Sequence, residues 1–351
     1  MKVAVIAFAN LRVTPYLNIY LDILKEQKAN VDIIFWDRHS VDEEVIGCRN
    51  YIYHRYLPDG TNKARKLAEM KMYTHYVKKI LKCNKYDYVI VLTSLLGIML
   101  RGYLIKHMRG RYIFDIRDHS YEHMSWYYGQ MKKLMLNSSL NVVSSEGFNE
   151  FLPIKNSVLC HNCSFDSLSD YKLNIKKEGR IIIAFVGSVR YASAYKKFIL
   201  KIKNNPKINF EFYGSGEDED ELNKYCVEND ILNVVFHGAY SPKEKASIIE
   251  KVDVLFNVYG TDIHVKYALS NKYYEALYYK TPIIVNRGTA MDNCTGILSY
   301  KYDESFTAED FIAWYENINC EEFNRVCDEK LQKILEDKNK FRIILKKALK
   351  E

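Results

Sequence analysis

Short runs of β-branched and aliphatic residues alternate with longer stretches of helical spacing along almost the whole chain. The first run, Lys2–Ala9, predicts a strand. Asn10 and a loop lead to a predicted helix near Tyr16–Gln27, and Val31–Trp36 predicts a second strand. A strand, a helix and a strand of this kind open a doubly wound α/β sheet, because parallel strands are buried on both faces. Residues 62–85 predict a long helix, with Leu67, Met70, Tyr73, Val77, Ile80 and Leu81 recurring at helical spacing. Further strands are predicted at Tyr88–Leu92, Arg111–Asp115, Leu140–Ser144 and Ser157–His161. Helices are predicted from Ser94, near Trp126–Asn137, and from Ser145-Glu-Gly-Phe. Phe165–Lys177 is polar and lacks periodicity, which predicts a linker.

The alternation then restarts. Arg180–Val186 predicts a strand, followed by a turn at Gly187–Arg190 and a helix start near Lys196 and Lys197. Asn209–Tyr213 predicts a strand that turns through Gly214-Ser-Gly216 into an acidic helix. Asn233–His237 predicts a short strand, and Ser241-Pro242 a helix with proline at its first position. Val252–Asn257 predicts another strand, and a loop leads into Ser270–Asn286, SNKYYEALYYKTPIIVN. Ser270 and Asn271 both suit a helix cap. Two turns of helix follow, Pro282 stops them, and Ile283–Val285 suits a buried strand. Helices fill the tail from Ala308.

Length and charge narrow the picture. A chain of 351 residues with 48% hydrophobic residues can build two cores. A net charge of +7 suits an anionic ligand or membrane surface as well as nucleic acid. No basic-aromatic recognition motif is present, so a nucleic-acid partner is not expected. The predicted helix over 62–85 carries eight Lys and Arg against Glu69 alone. Two readings stay open for it: a core helix with a solvated lysine face, or a patch for anionic lipid head groups. The longest apolar run, Tyr88–Leu100, contains Thr93 and Ser94 and is too short to span a bilayer. The eight cysteines lie in ordinary elements and loops, and Met1-Lys2 leads directly into a strand with no signal peptide. Free thiols in a reducing, cytoplasmic compartment are therefore expected. Cys160-His-Asn-Cys163 is a lone pair without a second pair for zinc, which leaves a redox role or none.

Candidate chemistry gathers at three places. Asp115-Ile-Arg117-Asp118-His119 sits at the carboxyl end of a predicted strand, where open α/β sheets bind ligands. His119 suits a general acid or base, or a loop histidine capping Asp118. Gly187 permits close backbone approach, and Arg190 with a nearby lysine suits a diphosphate, although a tight turn with surface cations reads the same. The helix from Asn271 offers N–H groups and a positive dipole end to a phosphate. Glu275, one turn further in, could accept two hydrogen bonds from a ribose diol; the alternative is an ordinary αβ unit with a solvated Glu. The turn after the first strand, Ala-Phe-Ala-Asn, lacks the dinucleotide glycine pattern, which argues against NAD at this end. Glu217–Asp220 reads as a helix-dipole feature rather than a metal site.

The order and spacing of several motifs resembles the retaining family 4 glycosyltransferases of the GT-B fold, especially those building bacterial surface polysaccharides. These motifs are Asp115-Ile-Arg-Asp118, Ser145-Glu-Gly-Phe148, Gly187-Ser188, Tyr213-Gly-Ser-Gly216, Asp253, and Asn271-Lys-x-x-Glu275-Ala-Leu followed by Thr281-Pro-Ile-Ile. The resemblance covers nearly the whole chain. It implies two Rossmann-like domains facing across a cleft: an acceptor domain over 1–165, a linker over 166–178, a nucleotide-sugar domain over 179–335, and a terminal helix over 336–351 packing back on the first domain. It implies a hexosyltransferase that moves a sugar from a UDP- or GDP-sugar to a lipid-linked or growing saccharide acceptor with retention, without metal or cofactor. The expected location is cytoplasmic, peripheral on the inner face of the cell membrane. The expected donor-binding residues are Gly187, Ser188, Arg190, Lys196, His237, Gly238, Asn271, Lys272 and Glu275. Among them Glu275 would hold the ribose, Arg190 and Lys196 the diphosphate, and the backbone at His237-Gly238 the base. Asp115 and Arg117 are expected at the acceptor, and Asp118 and His119 in catalysis. The family carries two glutamates separated by seven residues, and here Tyr267 occupies the first place. That departure keeps open a non-catalytic nucleotide- or saccharide-binding protein, and the fold also admits a nucleotide-sugar epimerase.

Overall fold

Val3–Ile6, Tyr88–Leu92 and Tyr112–Ile116 are buried along their full length, which is the signature of central strands covered by helices on both faces. The computed structural model describes the chain except Asp59, Asn174, residues 176–178, Thr261, Asp262 and Glu351. It divides into two units, Met1–Asn162 with Asp337–Glu351, and Cys163–Glu336.

The first unit runs β1 (Lys2–Ile6), α1 (Leu17–Glu26), β2 (Asn30–Asp37), β3 (Arg49–His54), α2 (Lys63–Cys83), β4 (Tyr88–Leu92) and α3 (Ser94–His107). It continues through β5 (Tyr112–Ile116), α4 (Ser125–Asn137), β6 (Leu140–Val143) and β7 (Val158–Leu159). The strands form one parallel sheet in the order β3-β2-β1-β4-β5-β6-β7. Strand β3 has no counterpart in the hydrophobic pattern. It is an edge strand of half-buried residues, so no apolar run marks it. Ser145-Glu-Gly-Phe starts only a 3-10 turn, Glu146–Glu150, in which the Ser145 hydroxyl accepts from the Gly147 N–H.

The second unit runs β8 (Ile181–Val186), α5 (Ala192–Ile202), β9 (Ile208–Tyr213), α6 (Glu219–Glu228), β10 (Val234–Phe236), α7 (Lys245–Ile249) and β11 (Val254–Asn257). It continues through α8 (Ile263–Lys266), α9 (Asn271–Tyr278), β12 (Ile283–Asn286), α10 (Ala290–Thr295), β13 (Ser299–Tyr302), α11 (Ala308–Glu316) and the part of α12 (Cys320–Ala348) that precedes Asp337. Its sheet is also parallel, in the order β10-β9-β8-β11-β12-β13. Alternation along β8 serves both faces: Ile183 and Phe185 join one core cluster, Ala184 and Val186 the other. Pro242 does not open a helix. Residues 242–244 form a turn, closed by the Glu244 carboxylate on the Ser241 N–H, and α7 begins at Lys245.

The stretch expected as a linker carries packing of its own, while its residues 174 and 176–178 lie outside the described residues. Phe165 stacks on Tyr278 at 3.8 Å and 3°, and Leu173 donates to Asn324. Helix α12 is continuous: Phe323, Cys327, Leu331 and Ile334 join the core of the second unit, and Phe341 and Leu345 that of the first. Among the described residues, no helix is long and apolar enough to cross a membrane.

Candidate functional site

The strand order of the second unit reverses between β8 and β11, and the loops leaving such a pair of strands diverge to open a ligand crevice. Gly187 follows β8 and Tyr259 follows β11. Three successive turns are tied together here. Gly187 N–H donates to Tyr213, Gly214 N–H to Gly238, each at 2.8 Å, and Val189 N–H to Ser215 at 3.1 Å. This contact explains the Tyr213-Gly-Ser-Gly216 motif. A Cβ on Gly214 would stand 1.9 Å from the Gly187 carbonyl oxygen, and one on Gly216 2.1 Å from that of Val189. Gly214 also has φ +129°, a conformation that L side chains avoid.

The cation at this turn is Lys272, in the first turn of α9. Its ammonium lies 3.5 Å from where a Cβ on Gly187 would sit. It donates to the Tyr259 hydroxyl at 3.0 Å and rests 4.3 Å from the centre of the Phe185 ring. Lys272 is 7% exposed, and among the described residues no carboxylate lies within ion-pair reach of it. Ser270 occupies the cap position of α9, yet its hydroxyl donates to Asn257 at 2.7 Å, so no side chain caps the helix. Asn271 is the first helical residue and is exposed. A buried ammonium, an uncapped helix start and a glycine turn thus lie together, an arrangement whose chemistry suits an anion.

Glu275 lies one turn along α9 and is buried. One of its carboxylate oxygens pairs with Lys245 at the start of α7, and the other, Oε2, is buried without a hydrogen-bond partner. Arg190 is exposed and donates to the Ser188 hydroxyl at 3.2 Å. The start of α5 is capped by Asp218, which accepts from the Ala192 N–H at 2.8 Å. Lys196 departs from its expected place beside Arg190: in the second turn of α5 it pairs with Glu221 at 2.5 Å and lies over the Tyr225 ring. An acidic first turn on α6, attractive to any lysine, draws it there. His237 stacks on Tyr213 at 4.1 Å and 7° and bonds to Glu211 at 2.9 Å, while the Tyr213 hydroxyl donates to the same carboxylate at 2.7 Å. Gly238 has φ +71° and open space where a Cβ would be, so its backbone is approachable. Tyr267 follows α8, with the Lys266 ammonium over its ring.

The charged strand end of the first unit divides into two pairs. Asp115 and Arg117, expected at an acceptor, are instead buried against each other. Arg117 Nε donates to both Asp115 oxygens at 2.7 and 2.9 Å, the Tyr20 hydroxyl donates to Asp115 at 2.7 Å, and Arg117 also donates to the Cys160 carbonyl. The Asp115 carboxylate beside it pushes the Arg117 guanidinium further up against the opposing effect of burial. Both groups therefore hold β5 to α1 and the strand following β6. Asp118 is exposed, whereas His119 is buried, edge-on to Phe151 at 4.9 Å and 3.9 Å from the Glu122 carboxylate. Among the described residues no three His, Cys, Asp or Glu side chains gather where they could hold a metal ion.

No protein-family profile and no curated protein sequence matches the chain. Solved structures do match, end to end. The apo form of WaaB, a lipopolysaccharide outer core galactosyltransferase, superposes with a TM-score of 0.65 at 14% identity over 99% of this chain and 100% of that one. Sucrose-phosphate synthase from Thermosynechococcus elongatus gives 0.74 at 13% identity, covering 99% and 98%. Anabaena HepE in complex with UDP gives 0.66 at 12% identity, covering all of both chains. The chain has the GT-B fold. On this GT-B framework three contributors have no signal in the linear sequence. Lys245 reaches Glu275 from another helix, Tyr259 comes from a loop, and Glu211 joins Tyr213 of its own strand to His237 on the turn after the next one.

Proposed function

We propose that the second unit binds a nucleotide-sugar by its nucleoside diphosphate, and that the protein transfers the sugar to a saccharide or lipid-linked acceptor as a family 4, surface-polysaccharide type hexosyltransferase. The observation that carries this reading is the buried Lys272 ammonium, held by a hydroxyl and a ring face without a carboxylate. Burying an unneutralised cation is costly, and an anion arriving at Gly187 would remove that cost. In this reading Lys272 and Arg190 neutralise the diphosphate, Gly187, Ser188 and the Asn271 N–H line its approach, and Oε2 of Glu275 accepts from the ribose. The backbone at His237 and Gly238 meets the base. As the glycosidic bond breaks, charge grows on the leaving diphosphate, and cations with a helix N-terminus stabilise it without metal. HepE was solved with UDP and with UDP and glucose, which supports a UDP-sugar as the donor. Asp118 and His119 are the proposed catalytic groups of the first unit. Retention of configuration follows from the same family reading.

Calorimetry with UDP and GDP tests the site. Lys272→Met and Glu275→Ala should each weaken binding roughly tenfold to a hundredfold, as expected for hydrogen bonds to charged groups worth about 1.5–3 kcal/mol. Unchanged affinity in both variants would overturn the assignment. His119→Ala should leave UDP affinity intact while abolishing transfer to acceptor. A second reading, nucleotide binding without transfer, draws on Tyr267 in place of the family's first glutamate. Slow release of free sugar from a UDP-sugar by the native protein would exclude it.

A further inference from the structure

Helix α2 presents two faces. Met70, Tyr73, Val77, Ile80 and Leu81 are buried in the first unit, while Leu67, Met70, Lys71, Thr74, His75 and Lys78 line a cavity of about 650 Å³. Its other walls come from the first two turns of α3, through Leu95, Ile98 and Met99, and from the loop and first residues of α4. The volume falls within the roughly 300–1,000 Å³ of small-molecule sites. Its floor is apolar. Its cations are Lys71, Lys78 and Arg101, with His75 beside them, and no carboxylate contributes to the wall. Burial, then the neighbouring Arg101 and Lys82 charges, hold the Lys78 ammonium below its ordinary value, so this rim is a crowded positive field. Around the mouth Trp126, Met124, Tyr121 and Leu67 are 54%, 49%, 49% and 52% exposed. Arg101 stacks on the Trp126 ring at 4.9 Å.

We infer that this cavity takes a hydrocarbon chain of a phosphate-headed lipid drawn from an anionic bilayer, with Lys71, Lys78 and Arg101 on the head group. An apolar floor alone would fit many occupants. The unneutralised cations choose an anionic one, and Trp126 with Tyr121 at the mouth suits the interface of a bilayer. A second copy docked through the same rim would set like charges against each other. The inference deepens the glycosyl-transfer reading and rests on it for the lipid's part as acceptor, while the binding itself is independent of it.

The probe is a set of vesicles whose acyl chains are dibrominated, made of phosphatidylcholine alone or with phosphatidylglycerol. Bromine quenches tryptophan at short range, and Trp126 is the exposed one beside buried Trp36 and half-buried Trp314. With anionic vesicles at low salt, quenching and a blue shift are expected, and Trp126→Phe should lose both. Met99→Glu, at a partly exposed wall position, should reduce quenching about tenfold at equal lipid, and Lys78→Glu with Arg101→Glu should do the same. High salt should weaken association. Equal quenching by neutral vesicles, quenching that survives Met99→Glu, or lipid-free dimers that shield Trp126 would each overturn the inference. Resistance of residues 1–162 to limited proteolysis reports that these first-unit variants are folded, and UDP binding is read in parallel by thermal shift. The UDP reading also separates the two proposals: loss of lipid quenching with intact UDP binding sinks only this one, and the converse sinks only the donor site.

Discussion

Two lysines of the second unit show why a side chain's partners matter more than its place in a motif. Lys196 and Lys272 both lie near strand-to-helix turns, but Lys196 faces the acids of α6 and Lys272 faces a phenol, a ring and a glycine backbone. Only the second is left with charge to offer. Cys160 makes the same point for the Cys160-His-Asn-Cys163 motif, whose two cysteines form no disulfide with each other. Burial pushes its thiol up to about 11 from an ordinary 9.0, against the opposing pull of Arg117, whose guanidinium donates to the sulfur at 3.3 Å. The thiolate is the reactive form, so the raised value makes this sulfur slow. At pH 8 its thiolate fraction is roughly a hundredfold below that of an ordinary thiol, from a factor of ten per unit. Alkylation of buried Cys160 by iodoacetamide should therefore trail that of exposed Cys83 and climb as pH approaches 11. Mass spectrometry of the labelled peptides measures both. Comparable rates at pH 8 would reopen a redox role for the pair.

At the scale of elements, the turns after β8, β9 and β10 form one backbone layer, and its glycines are a packing requirement. Gly214→Ala would drive a methyl into the Gly187 carbonyl while keeping a positive φ, and it should cost about 3 kcal/mol or more. Ser215→Ala, at an exposed side chain between the two glycines, should stay within about 0.5 kcal/mol. Denaturation midpoints that coincide for the two variants would show that the layer relaxes freely. The glycine pattern of this turn is visible in the sequence, and so are the inner strands, since burial on both faces requires continuous aliphatic runs such as Ile181–Val186. Two of the four edge strands escape notice for the opposite reason. Arg49–His54 and Ser299–Tyr302 each pair on one side only and carry Arg, Asn, Ser and Lys in their length. The proposed donor site was legible where one element sufficed, as with Glu275 and the start of α9. It was not legible where a contact joins two elements, as with Lys245 on Glu275, or where charges neutralise each other inside, as with Asp115 and Arg117.

For the whole molecule, the chain's last helix is the consequential element. Helix α12 supplies Phe323, Cys327, Leu331 and Ile334 to the core of the second unit, then Phe341 and Leu345 to the first, where Leu349 follows them. Phe341 meets Tyr20 edge-to-face at 5.7 Å, and Lys346 pairs with Glu26 at 2.7 Å, both on α1. Tyr20 in turn holds Asp115, so the tail braces the helix that supports the buried charge pair of β5. Emptying a buried Phe or Leu site costs about 2–5 kcal/mol, and three such sites together rival the roughly 5–15 kcal/mol that holds a typical domain folded. Ending the chain after Glu336 should therefore unfold the first unit selectively. Limited proteolysis of that shortened chain should cut throughout residues 1–162 while a fragment near Cys163–Glu336 survives and keeps its UDP-induced thermal shift. The point variant Phe341→Ala should show a milder form of the same pattern, at about 3–5 kcal/mol. A first unit that stays protected in both chains would mean that its core closes without α12, and the helix would then be a passenger on α1 instead of its brace.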